Sequence, residues 1–126
     1  MNVTAIARGV PLSPRKVSVV ASLVRGRTVE DALVILQHTP RRSALAVVKT
    51  IASAKANADR NHNLRPETLR IVEISVTPGP RLKRFRAAAR GQALPFQLRS
   101  SHIHVVVNGE ERVAKKPAKL ASRKAK

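Results

Sequence analysis

The chain has 126 residues, and its 25 Lys+Arg against 7 Asp+Glu give a formal net charge of +18. That length allows one domain with appendages, and charge of that density opposes compaction unless a polyanion neutralises it. The absence of cysteine excludes a disulfide framework and a thiolate zinc site, no apolar run approaches the roughly 18 residues of a spanning helix, and MNVTAIARGVPLSPRK lacks a charged-then-apolar leader, so a cytosolic chain is expected.

Residues 3–10, VTAIARGV, predict a short strand ended by Gly9 and Pro11. SPRK then opens a helix, with Ser13 as N-cap and Pro14 at the first helical position. Val17, Val20, Leu23 and Val24 recur at helical spacing and predict its buried face. Gly26 is expected to close it as a C-cap glycine. Thr28 and Asp31 have capping-box spacing for a second helix, VEDALVILQ, with Glu30 and Asp31 at the positive end of its dipole. Thr39 and Pro40 repeat a cap-then-proline signal for a third, longer helix. Its stripe is Ala44, Val47, Val48, Ile51, Ala54 and Ala58.

From Leu69 the period changes to two. Val72, Ile74 and Val76 alternate with Glu73, Ser75 and Thr77, a strand with one wet face. Ile103, Val105 and Val107 make a matching strand that Asn108-Gly109 ends. The stretch between these strands carries no acid from residue 74 to 109. Structureless loops of that length are uncommon inside a compact domain. The two strands are therefore expected to continue outward as a long hairpin over 78–101, turning near Gly91. An isolated two-stranded ribbon is marginal in water, so this arm needs an external mould, and its cations make that mould anionic. The expected fold is α+β: a three-stranded antiparallel sheet packed on three helices, with a long protruding β-hairpin. Residues 1–110 form the single domain, and 111–126 form a basic tail that is disordered when free.

Aromatic residues are limited to Phe85 and Phe96, so base stacking offers little and phosphate, sugar and shape must carry any RNA binding. Lys83, Arg84, Arg86, Arg90 and Arg99 are the expected hairpin contacts. Arg8, Arg15, Lys16, Arg25 and Arg27 are the body contacts, grouped about a helix start that itself suits phosphate. Ser13 is read first as a cap and counted with this set, and Ser101 and His102 join it from the last strand. His102 and His104 share a strand face, but without a third ligand no metal site is expected. The seven acids form no acid/base pair with a histidine, and no phosphate-cradling glycine loop or nucleophile motif is present, so no enzyme and no cofactor are expected.

LSPRKV with VRGRTVEDAL, SAKANA, GPRLKR, RG and RSSHIHVVV stand in this order over residues 5–107. Together they resemble the bacterial large-subunit ribosomal protein twenty-two family. The resemblance implies a body that binds large-subunit rRNA early in assembly beside neighbouring ribosomal proteins, in the cytoplasm. It also implies a hairpin lining the polypeptide exit tunnel. The tip would be Ala87, Ala88, Ala89, Arg90, Gly91 and Gln92, facing the nascent polypeptide and close to where macrolide antibiotics bind. The family usually has proline then arginine where Ala87 and Ala88 stand, arginine at Gln92 and lysine at Leu98. No membrane and no small-molecule substrate are implied. Charge alone also permits a general nucleic-acid-binding architectural protein or chaperone, or a membrane-active cation, though the tip lacks Trp for the latter.

Overall fold

The computed structural model describes residues 1–112, so the basic tail expected over 111–126 lies outside the described residues except for Glu111 and Arg112. The elements run β1 (Asn2–Val10), α1 (Pro14–Val24), α2 (Val29–Gln37), α3 (Arg42–His62), β2 (Arg70–Ala87) and β3 (Ala93–Asn108). The strands form one antiparallel sheet in the order β1-β3-β2, giving the expected α+β architecture. Register explains why β3 is central. Val107 lies between Val3 and Ile71, Val105 between Ala5 and Ile74, and Ile103 between Ala7 and Val76. These rows form the apolar face on which α1 and α3 lie, and α2 packs against α3. Fully burying each Val, Leu or Ile contributes about 1.5–3 kcal/mol.

The helix stripes mostly follow the sequence, with one exception, and three helix ends differ from it. In α1 the buried residues are Val17, Val20, Ala21 and Val24, while Leu23 is exposed. Ser13 occupies the N-cap position, but its side chain makes no cap bond; its carbonyl accepts from the Lys16 and Val17 amides. Gly26 does not close the helix directly. Arg25 is extended at φ −64° and ψ 130°, Gly26 follows at φ +74°, and the Arg27 amide returns to Val24 O at 3.3 Å. That is a type II turn, which requires glycine at its third position.

The Thr28 cap forms as expected. Its hydroxyl accepts from the Asp31 amide at 3.2 Å and donates to the Asp31 carboxylate at 2.6 Å. Thr39 and Pro40, in contrast, do not start α3. The Thr39 hydroxyl donates back to Ile35 O at 2.8 Å, finishing α2, and α3 begins at Arg42 after an uncapped Arg41.

In β2 the expected inward face is shifted. Ile71 pairs with Val107 but Glu73 with Val106, so Val72 is an extra residue in a bulge. Its side chain turns outward at 54% exposure while Ile74 stays at 1%. Beyond the body, pairing continues without a break in strand direction from Pro78↔Ser101 to Ala87↔Ala93. That is a reach of about 30 Å at strand rise. A second bulge, at Gly79 and Pro80 opposite Ser100, marks where the arm leaves the body.

Candidate nucleic-acid interface

Along the arm, every side chain from Arg81 to Arg99 is exposed except half-buried Ala88. Cross-strand register sorts them onto two faces. Arg81, Lys83 and Phe85 lie opposite Arg99, Gln97 and Pro95, while Leu82, Arg84 and Arg86 lie opposite Leu98, Phe96 and Leu94 on the other face. The Arg86 guanidinium stands 5.8 Å from the centre of the Phe96 ring, a cation–π distance. Phe85 projects at 75% exposure, with no apolar neighbour deep enough to cover it. This surface cannot close on itself.

Arg81 and Arg99 are direct cross-strand partners. Like charges in that position oppose pairing, and no carboxylate stands between them: among the described residues the ion pairs are Lys55 with Glu30 at 3.2 Å and Arg112 with Asp59 at 3.0 Å. Neither involves a residue of the arm. The hairpin cations Lys83, Arg84, Arg86, Arg90 and Arg99 therefore face outward without protein counter-charge. Arg81 belongs with them, and sequence reasoning missed it as a site residue although GPRLKR contains it. Its opposition to Arg99 is visible only once the bulge at Gly79 and Pro80 fixes the register.

The tip is closed by the Ala88 amide donating to Gln92 O at 2.8 Å. Gly91 has φ +71°, as its place at the turn demands, and Arg90 shares that left-handed region at φ 59°. Ala87, Ala88 and Ala89 leave the end narrow, and Arg90 and Gln92 are its long side chains.

On the body, Arg15 and Lys16 are exposed in the first turn of α1 and Arg25 and Arg27 at its far end, about 15 Å away along the axis. The structure thus arranges them as a strip rather than one cluster. Arg25 also has a structural task, its guanidinium donating to Ile74 O at 3.1 Å, and Arg27 Nε donates to Leu23 O at 3.1 Å. Arg8 is exposed near the end of β1, next to Gly9, whose amide donates to His102 Nδ1 at 2.9 Å. That bond occupies Nδ1 of half-buried His102, whose Cε1 and Nε2 lie against Gly79 of β2. Ser101 is a correction. It is 0% exposed on the core face of β3, with its hydroxyl lacking a hydrogen-bond partner, and cannot reach a surface ligand. No group of three or more metal-ligating side chains occurs among the described residues, and none of their helices is long and apolar enough to cross a membrane.

Residues 5–108 match the family described as ribosomal protein L22p/L17e. The large ribosomal subunit protein uL22 of Herpetosiphon aurantiacus is 47% identical over 111 residues, covering 88% of this chain and 98% of that protein. The uL22 of Clostridioides difficile is 46% identical over 107 residues, 85% of this chain and 96% of its own length. That of Clostridium tetani is 44% identical over 111 residues, covering 88% of this chain and 100% of itself. A matched span that takes in both the body and the whole protruding arm places the chain in the ribosomal protein L22p/L17e family, a family of structural ribosomal proteins and not of enzymes.

Proposed function

We propose that this protein binds large-subunit rRNA by neutralising phosphates along both faces of its hairpin and along the α1 strip, and that it assists assembly of the subunit in the cytoplasm. The observation that carries this reading is the direct opposition of Arg81 and Arg99 on an arm without a single acid. Such an arm is stable as a ribbon only in contact with a polyanion. Arg8, Arg15, Lys16, Arg25, Arg27 and His102 supply the body contacts. Ser13, half-buried at the same helix start, lies beside them. Buried Ser101 is left out.

The hairpin lines the nascent polypeptide exit tunnel in this reading. Its reach and narrow alanine-rich end support this, with Arg90 and Gln92 meeting the nascent chain and macrolides binding close by. Neighbouring large-subunit proteins complete the surroundings.

Deleting residues 82–98 is the test. The body core contains none of these residues, so the truncated protein should fold and still bind rRNA, with altered nascent-chain passage or macrolide sensitivity. A truncated body that fails to fold would end the division into core and arm. Competition at moderate salt separates the architectural alternative: bulk duplex DNA displacing rRNA as well as rRNA itself would defeat the ribosomal reading.

A further inference from the structure

We propose that the outer edge of β1, with the apolar groove it forms against α3, receives an extended peptide segment of a neighbouring protein as a fourth strand. The two outer edges of the sheet are treated differently. The edge of β2 is held by its own chain: Arg25 donates to Ile74 O, and the Ile71 amide donates to Arg27 O at 2.9 Å. No described residue outside β3 hydrogen-bonds the backbone of Asn2 to Arg8. An unpaired edge of this kind is a template for another strand, and adding a peptide strand to such an edge is a recurring mode of recognition.

The groove beside the edge is floored by Ala5, Ala7 and Val10 of the strand side and Ala46, Thr50 and Ser53 of α3, with a volume of about 290 Å³. It continues past Val10 and Leu45 through a recess of about 210 Å³ and meets another of about 310 Å³ at the hairpin root, against Pro80, Leu82 and Leu98. Each recess is near or below the ~300 Å³ at which small-molecule pockets begin, so the path fits a row of side chains and not one enclosed ligand. Ile6 and Leu45 stand exposed along it.

Charge narrows the occupant. Arg42, Lys49 and Arg99 border the path and no acid lines it. The partner is therefore an extended, apolar stretch that also bears carboxylates. RNA fits less well. A strand edge offers amides and carbonyl oxygens alternating at strand spacing, which a peptide backbone matches in register and a sugar-phosphate backbone, with its different repeat, does not.

The neighbour is supplied by the ribosomal reading, on which this inference rests. Its test uses the full chain assembled into large subunits, with Ala46→benzoylphenylalanine as one photocrosslinking variant and Lys83→benzoylphenylalanine as another. Position 46 is expected to crosslink to a protein segment that mass spectrometry identifies as apolar and acid-bearing, and position 83 to rRNA. Amide exchange from Val3 to Ala7 should slow by about tenfold or more on assembly, as expected for a covered edge. A crosslink from position 46 to rRNA, no crosslink there, or unchanged β1 exchange overturns the inference. Failure at position 83 alone, with protein captured at 46, strikes the hairpin reading and leaves this one standing.

Discussion

At Gly79 an added Cβ would lie 2.5 Å from Ser100 Oγ and 3.3 Å from two atoms of the His102 ring. Ser100 cannot simply turn away, because its hydroxyl donates to Pro80 O at 2.6 Å across the bulge. Gly79→Ala is therefore expected to destabilise the protein by about 1–3 kcal/mol, the cost of overpacking, measured by urea denaturation. Ser100→Ala removes both the obstacle and one hydrogen bond, costing about 1 kcal/mol alone. The double variant should be less destabilised than the sum of the two, since the residues share one space. Strict additivity would show that the crowding at the hairpin root is not what fixes glycine there. The crowding is not legible in the sequence, because it depends on which residue faces which across strands, whereas Ser101 extends the alternation of Ile103, Val105 and Val107 onto the core face.

The elements themselves were largely legible. Alternation in Ile103, Val105 and Val107, the α3 stripe and the Thr28 cap each arise from local chemistry that a sequence displays directly. A bulge displays nothing comparable. Val72 is as apolar as Ile71 and Ile74, so simple alternation assigns it inward, and only pairing with β3 shows that one residue has been inserted. Val72→Lys should accordingly change stability by no more than about 0.5 kcal/mol, whereas Ile74→Ala should cost about 2–5 kcal/mol. Comparable losses in the two variants would place the bulge elsewhere. The hairpin was legible from length and the missing acids. Its two-faced pattern, with Leu94, Phe96 and Leu98 alternating with Pro95, Gln97 and Arg99, stands in the sequence too. The surrounding cations and the break at Gly79 and Pro80 obscure it.

For the whole molecule, the concentration of cations on an extended arm sets how binding responds to salt. Each phosphate neutralised releases counterions, so log K should fall linearly with log salt. Replacing Lys83, Arg84, Arg86 and Arg90 together with Gln should reduce the magnitude of that slope by about 3 for an rRNA fragment that engages the arm. An unchanged slope would mean that the arm's charges face something other than phosphate. Which phosphates they meet is not legible in the protein, because the RNA's shape is encoded elsewhere. The β1-β3-β2 order has a kinetic consequence as well. Val3 pairs with Val107, and β2 reaches β1 only through β3. During synthesis the first strand emerges early and then waits, its only lateral partner among the last segments of the described chain to be made. The sheet closes over a separation that nearly spans the domain, a high contact order that slows folding. While it waits, the half-finished body exposes Val3, Ala5 and the helix stripes to whatever the growing chain encounters first.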